Sequence, residues 1–226
     1  MRRAGLAILF LCLGGIAASL RASAGTILYD NTVPGNTGNL EAWGINEGFV
    51  VSDSFTLGAG STITGATFDS WVVPGNRLLT VEWSLGSTPF GDNFGTGTAS
   101  ATSSGQVATG LGFYAVDFES IPIPSVALDA GAYWFTLQNA VTANGVPTDW
   151  DISNGPSTAF GYYGDLANGL FPGTNSETFQ IVGYKNVTTA PTPEPSGLFL
   201  LGSGLAGLGA LIRCRIGSWK GSRGEA

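Results

Sequence analysis

The sequence predicts an all-β fold, an antiparallel β-sandwich of about eight to ten strands arranged like a jelly roll. Apolar and polar residues alternate with period two in several short segments, as they do in strands with one buried face. Turn-forming residues separate these segments. No long apolar stripe repeats with the 3.6-residue period of a helix between positions 25 and 187. Many short strands joined by tight turns are typical of two packed sheets.

The alternation is clearest in the segments 48–57, 78–85 and 131–139. In the second segment, Val81 and Trp83 face one way and Glu82 faces the other, which places Trp83 in the predicted core. The predicted strands are, in chain order, 26–29, 48–57, 66–73, 78–85, 112–118, 131–139, 158–163 and 177–184. The predicted turns carry Pro-Gly-Asn at 34–36 and 74–76, and Asn-Gly at 144–145, 154–155 and 168–169.

The domain predicted for residues 25–187 is strongly acidic. Of the 16 acidic residues in the chain, all but Glu194 and Glu225 precede position 192, whereas Arg77 and Lys185 are the only basic residues between positions 25 and 192. Because contacts to phosphate need lysine and arginine, we expect no binding to nucleic acid. The large excess of negative charge favours solubility outside a cell.

The residue types that carry most hydrolytic and metal chemistry are missing from this domain. The chain has no histidine, and its two cysteines, Cys12 and Cys214, lie outside residues 25–187. A serine or cysteine nucleophile activated by histidine, a zinc site of the Cys/His type and an internal disulfide are therefore excluded. We expect a non-enzymatic domain without a cofactor.

The N-terminus has the layout of a secretory signal peptide. Arg2 and Arg3 precede an apolar run over 4–20, and Ala22 and Ala24 form the small-residue cleavage site. We therefore expect residues 1–24 to form a signal helix that signal peptidase removes after Ala24.

Residues 188–226 differ in composition from the domain. A Pro/Thr-rich linker is predicted over 188–195, followed by an apolar stretch over 196–212 that is just long enough to cross a bilayer as a helix. Arg213 and Arg215 follow it, and residues 213–226 hold four of the nine basic residues. By the positive-inside rule, this basic tail stays in the cytoplasm and the acidic domain lies outside the membrane.

Three features of this tail occur in a characteristic order. Pro193, Glu194 and Pro195 come first, then the glycine-rich apolar span, then the arginines. This arrangement resembles the PEP-CTERM sorting signal. The resemblance implies a partner, the membrane-embedded transpeptidase exosortase of Gram-negative bacteria, with the tripeptide as recognition site and the arginines as retention charges. It also implies a final location at the cell surface or in an extracellular matrix with exopolysaccharide. A plain single-span membrane anchor is the alternative.

The domain itself offers candidates for a carbohydrate-binding module, which is the alternative function. A tryptophan side chain that is exposed on a β-sandwich can stack against a sugar ring. Trp134 lies on the same face of its predicted strand as Thr136 and Gln138, opposite the apolar face. Trp43 and Trp150 lie in segments predicted as loops. These three tryptophans are the candidate carbohydrate contacts.

Acidic residues beside Trp150 suggest two further kinds of site. Asp149, Asp151 and Ser153 offer oxygens at alternate positions, which could bind calcium, although no EF-hand pattern follows. Asp92 and Asn93 form a weaker second calcium candidate. Asp149 and Asp151 would also share one face of a strand, about 6.5–7 Å apart. A secreted glycoside-active enzyme with these two carboxylates is the weaker alternative.

Overall fold

The computed structural model describes residues 25–32, 41–109, 112–164, 171–172 and 176–186, and these residues contain strands and no helix. The all-β prediction is therefore confirmed for this part of the chain. The strands are β1 (Thr26–Asp30), β2 (Ala42–Gly44), β3 (Phe49–Leu57), β4 (Ser61–Val72), β5 (Leu78–Gly86), β6 (Gly95–Ser100), β7 (Thr102–Ala108), β8 (Ala115–Leu128), β9 (Gly131–Thr142), β10 (Asp149–Ser153), β11 (Ala159–Tyr163), β12 (Phe171–Pro172), β13 (Ser176–Glu177) and β14 (Phe179–Lys185).

The strands form two antiparallel sheets, an arrangement consistent with a β-sandwich. The six-stranded sheet has the order β12-β11-β3-β9-β5-β6. In the eight-stranded sheet β4 is central, with β8 along one side and β14 along the other. Beyond the end of β14, β10 pairs with β4, and β2 and β13 pair with β10. The sheet thus has a short three-stranded extension at one end.

The core fills the space between the sheets with side chains from alternate strand positions. Phe135 of β9, Trp150 of β10 and Phe179 of β14 are fully buried. The ring centroids of Phe135 lie 5.7 Å from those of Trp150 and 5.8 Å from those of Phe179. Each such aromatic side chain removes about 150–250 Å² from water, so this cluster contributes strongly to the stability of the domain. Trp83 is 3% exposed and lies in the core, as predicted.

The strands that the sequence did not predict have few large apolar residues. Strands β6 and β7 consist mainly of glycine, serine, threonine and alanine, and every residue of β7 is exposed. A strand with no buried face has no alternation of apolar and polar residues, so its sequence does not predict it. Strand β4 begins five residues earlier than predicted, at Ser61, because small and polar residues occupy its first half.

Two predicted turns have the expected backbone conformation. Gly75 and Gly145 adopt positive φ angles of 83° and 72°. A left-handed conformation favours glycine, which explains the Pro-Gly-Asn and Asn-Gly sequences at these two positions.

Several sequence predictions fall outside the described residues. They are the signal segment 1–24 with Ala22 and Ala24, the turns at 34–36 and 168–169, and the linker, span and tail at 188–195, 196–212 and 213–226. Within the part that is described, the structure holds no helix long and apolar enough to cross a bilayer.

Candidate functional site: an acidic aromatic groove

The short strand β10 organises the most distinctive surface of the domain. Trp150 points into the core, so the neighbours Asp149 and Asp151 point to the opposite face of the sheet. The backbone register places Asp149 between Gly44 of β2 and Trp71 of β4. Both carboxyl groups predicted from the sequence therefore lie on one face, next to an indole ring.

A groove of about 390 Å³ opens beside these residues. Its lining includes Glu41, Trp43, Trp71, Tyr114, Asp149 and Ile152. Because Trp43 pairs with the core residue Trp150, its ring lies on the core side of β2. This volume lies within the range of about 300–1,000 Å³ that is usual for small-molecule sites.

Hydrogen bonds fix the orientation of Trp71, the most buried ring of the groove. Its Nε1 donates to Asp151 Oδ1 at 2.5 Å, and the hydroxyl of Thr178 donates to the other carboxylate oxygen at 3.3 Å. The Thr148 hydroxyl donates to the Trp71 carbonyl oxygen at 2.9 Å. The ring of Tyr114 packs against the indole, with the centroids 5.5 Å apart. The indole N–H is thus occupied, and Trp71 as a whole is only 4% exposed.

Burial makes the carboxyl groups around Trp71 difficult to ionise. Burial, together with the nearby charge of Asp151, raises the pKa of Asp69 to about 7. Burial raises the pKa of Asp151 to about 6, although the hydrogen bonds from Trp71 and Thr178 act in the opposite direction. The pKa of Asp149 is raised by burial alone. A nearby positive charge would lower all three pKa values.

The structure corrects the prediction for Trp150. Its side chain is fully buried, and its Nε1 donates to the Thr178 carbonyl oxygen at 2.9 Å. Trp150 is therefore not available to stack against a sugar. The prediction was wrong because Trp150 belongs to strand β10 and not to a loop.

The three residues of the calcium candidate do not converge on one place. The Ser153 hydroxyl is fully buried and donates to the carbonyl oxygen of Asn31 at 3.0 Å. Asp151 is occupied by Trp71 and Thr178, as described above. In the described ranges, no three acidic, histidine or cysteine side chains lie close enough together to hold a metal ion. At the second candidate, Asn93 Oδ1 accepts from the Ser87 backbone N–H at 3.0 Å, whereas Asp92 is exposed.

Trp43 is half-buried on β2 and lines two grooves. Besides the acidic groove, it borders a mainly apolar groove of about 440 Å³ with Phe49 and Tyr162. Its ring packs on Gly161, where an added Cβ would lie only 3.0 Å from Trp43 Cε3. A glycine at this position of β11 therefore makes room for the indole.

Trp134 lies on the outer face of the other sheet. Its half-exposed ring packs beside Phe160, with centroids 5.5 Å apart. Four residues along β9 from Trp134, beyond the row of Ser84 and Thr136, Glu82 Oε2 accepts from Asn139 Nδ2 at 2.7 Å and from Gln138 Nε2 at 3.3 Å. The ring and these polar groups form an outer patch that we call the Trp134 face.

A buried polar cluster at the interface of the sheets escaped the sequence analysis. Asp53 is fully buried and accepts hydrogen bonds from the Ser157 hydroxyl at 2.8 Å and from the backbone N–H of Glu177 at 2.6 Å. Both carboxyl oxygens of Glu177 are buried without a hydrogen-bond partner. Burial raises the pKa of Asp53 to about 7, and burial with the charges of Asp53 and Asp151 raises that of Glu177 well above its ordinary value. One feature of the sequence could have indicated this cluster, because Asp53 lies on the apolar face of its predicted strand.

No protein-family model matches the chain, and no curated protein matches it at a significant level.

Proposed function

We propose that this protein is an exported, non-enzymatic component of the cell surface or extracellular matrix, sorted through its C-terminal tail by exosortase. The observation that carries the proposal is the order Pro193-Glu194-Pro195, apolar span and arginines, in a sequence whose residues 1–24 have the layout of a signal peptide. In this proposal, Arg213 and Arg215 hold the span in the inner membrane until exosortase releases the domain.

The strand order of the described domain supports a jelly-roll fold as the exported module. Eight strands form the ordered sets β1-β14-β4-β8 and β3-β9-β5-β6. Numbered 1 to 8 along the chain, these sets read 1-8-3-6 and 2-7-4-5, the order that two interlocked Greek keys produce. Such a fold presents wide sheet faces, which suits attachment to a matrix as well as ligand binding.

Replacement of the tripeptide tests the sorting proposal in the bacterium that encodes the protein. A variant with Pro193, Glu194 and Pro195 all changed to alanine should stay in the inner membrane, whereas the wild type reaches the surface and the medium. Pro191→Ala is the matched control, because it removes a proline of the same linker outside the tripeptide. Identical distribution of the wild type and the triple variant would reject sorting through this motif.

A carbohydrate-binding role is the second candidate, and the Trp134 face favours it. Trp134 offers a half-exposed apolar ring, and Glu82, Gln138 and Asn139 offer polar groups about 13 Å further along the same sheet, so an extended polysaccharide chain could contact both. An exopolysaccharide of the matrix would be the natural ligand for a surface protein.

Glycan-array binding by the full-length protein tests this second candidate. Trp134→Ala should abolish the signal, and Tyr184→Ala is the control, because Tyr184 is another exposed aromatic residue, 42% exposed, on the other sheet. Absence of any glycan signal, or equal loss in both variants, would leave the sorting proposal intact and reject the carbohydrate role.

A further inference from the structure

Two carboxyl groups occupy core positions of strand β8. Asp117 and Glu119 lie on either side of Phe118 along the strand and share the core-facing side with Ile121. Asp117 is fully buried and Glu119 is 2% exposed. A buried carboxylate is costly unless an opposite charge or hydrogen bonds compensate it. The two side chains therefore need partners that an apolar core does not supply.

The surroundings satisfy Asp117 better than Glu119. Asp117 Oδ1 accepts a hydrogen bond from the Ser103 hydroxyl, and Asp117 Oδ2 accepts one from Gln106 Nε2 at 2.9 Å. Both carboxyl oxygens of Glu119 are buried without a hydrogen-bond partner among the described residues. Burial and the neighbouring Asp117 carboxylate raise the pKa of Glu119 to about 8, although the Leu78 backbone N–H acts in the opposite direction. The two carboxylates thus lie close enough to repel each other when both are ionised.

A third oxygen, from the neighbouring strand, lies on the same face. Ser70 of β4 is directly opposite Asp117 in the antiparallel register, so its side chain also points to the core side. The Ser70 hydroxyl is fully buried, and no described residue forms a hydrogen bond with it. Buried polar atoms without a partner are rare and often mark a bound ion or water. Here such atoms come from two adjacent strands and lie around one carboxylate pair.

A divalent cation accounts for this arrangement. The pair carries two negative charges when ionised, and the basic side chains of the described residues, Arg77 and Lys185, are both exposed. Carboxylate and hydroxyl oxygens are ligands of calcium and magnesium. Calcium tolerates irregular sets of oxygen ligands, whereas magnesium requires near-ideal octahedral geometry and keeps several waters, so burial favours calcium. No group of three acidic side chains occurs in the described ranges, so carbonyl or water oxygens would complete the shell.

We propose that Asp117 and Glu119 bind a calcium ion, with the Ser70 hydroxyl as a further ligand. The ion supplies the positive charge that the pair lacks and gives the Glu119 oxygens a partner. It also links β8 to β4 on the core-facing side of the eight-stranded sheet. This site is independent of the sorting tail and lies apart from the Trp134 face, on the other sheet.

Thermal melting of the full-length protein in mild detergent, after removal of metal ions with a chelator, tests the proposal. If calcium binds with a Kd of about 10 μM, adding about 1 mM calcium should raise the melting temperature by roughly 5–10 °C. Magnesium at the same concentration should raise it less. No rise with calcium would overturn the proposal, and the two carboxyl groups would then share a proton. An equal rise with magnesium would overturn the assignment to calcium.

Three variants locate the ion. Glu119→Gln keeps the size of the side chain but removes its charge, so it should nearly abolish the calcium-dependent rise. Glu177→Gln is the matched control, because Glu177 is another buried carboxyl whose oxygens have no partner, and the rise should persist. Ser70→Ala removes a hydroxyl that has no partner in the ion-free protein. It should therefore leave the melting temperature without calcium almost unchanged and reduce the rise with calcium.

The melting temperature of each variant without calcium shows that it is folded. A calcium-dependent rise that survives in folded Glu119→Gln protein would place the ion elsewhere and reject this site. Loss of the rise in Glu177→Gln but not in Glu119→Gln would likewise reject it.

Discussion

The outer faces of the two sheets both carry a tryptophan and carboxyl groups, but the carboxyl groups differ in their surroundings. On the Trp134 face, Glu82 accepts hydrogen bonds from Gln138 and Asn139. On the opposite sheet, Asp149 is half-buried and no described residue donates a hydrogen bond to it, and burial raises the pKa values of Asp69, Asp149 and Asp151. The comparison teaches that one carboxylate is held by hydrogen bonds from its neighbours, whereas burial on the opposite sheet disfavours the charged form of Asp69, Asp149 and Asp151.

The largest expected difference between the faces is in the packing of their tryptophans. Trp71 is 4% exposed and Trp134 is half-exposed. Trp71→Ala should lower the free energy of unfolding by about 3–5 kcal/mol, because it opens a cavity and leaves Asp151 without its indole donor. Trp134→Ala should lower it by roughly 1–2 kcal/mol, since less apolar surface is lost. Denaturant unfolding measures both values, and equal losses would contradict the difference in burial.

The interior carboxyl Glu177 should make a large contribution to the pH dependence of stability. Its pKa is raised in the folded state, so the folded protein holds a proton that the unfolded chain releases above about pH 4.3. Stability therefore falls as the pH rises from about 5 to 8. Glu177→Gln should raise the melting temperature at pH 8 and change it little at pH 5. A lower melting temperature of the variant at pH 8 would show that Glu177 is ionised and stabilised in the folded protein.

The groove should contribute a smaller part of the same pH dependence. Asp151→Asn keeps an acceptor for Trp71 and removes a group whose pKa is raised to about 6, so it should stabilise the protein by at most about 3 kcal/mol at pH 8. At pH 5 the effect should be much smaller, because the folded protein is then mostly protonated at Asp151. Chemical unfolding at both pH values measures the difference. A destabilisation that is equal at pH 5 and pH 8 would mean that only the hydrogen bonds of Asp151 matter.

The smallest expected effect belongs to the Trp134 face. Glu82→Gln keeps an oxygen acceptor for Asn139, and Glu82 is partly exposed. The free energy of unfolding should therefore change by less than about 0.5 kcal/mol at either pH. A change at pH 8 as large as that of Asp151→Asn would remove the contrast between the two faces.

The sequence predicted the strands whose two faces differ in polarity. Strands β3, β5 and β9 were identified because residues such as Val81 and Phe135 alternate with polar neighbours. Strand β7 has no buried face, and the whole of it was missed. The sequence pattern therefore predicts a strand only where one of its faces is buried and the other is exposed.

The groove was only partly predictable, because it is assembled from distant parts of the chain. Asp149 and Trp43 were recognised as candidates, but nothing in their local sequence pointed to Trp71 or Tyr114. The pairing of β10 with β2 and β4 brings Trp43, Asp149 and Trp71 close together in the fold, and the pairing of β4 with β8 adds Tyr114, which precedes β8. Trp150 was misplaced for the same reason, since its burial depends on rings from β9 and β14. Pairing between strands that are far apart in the sequence cannot be predicted from a short segment of either strand.

The central claim, that the tail is a sorting signal, is tested most directly by the intact mass of the protein recovered from the native surface and medium. The account predicts a chain that begins at Gly25 and ends near Pro195. If the transpeptidase joins this new C-terminus to an acceptor, the mass of the acceptor is found there. A chain that still ends at Ala226 and is found only in the inner membrane would contradict the claim, and the tail would then be an ordinary membrane anchor.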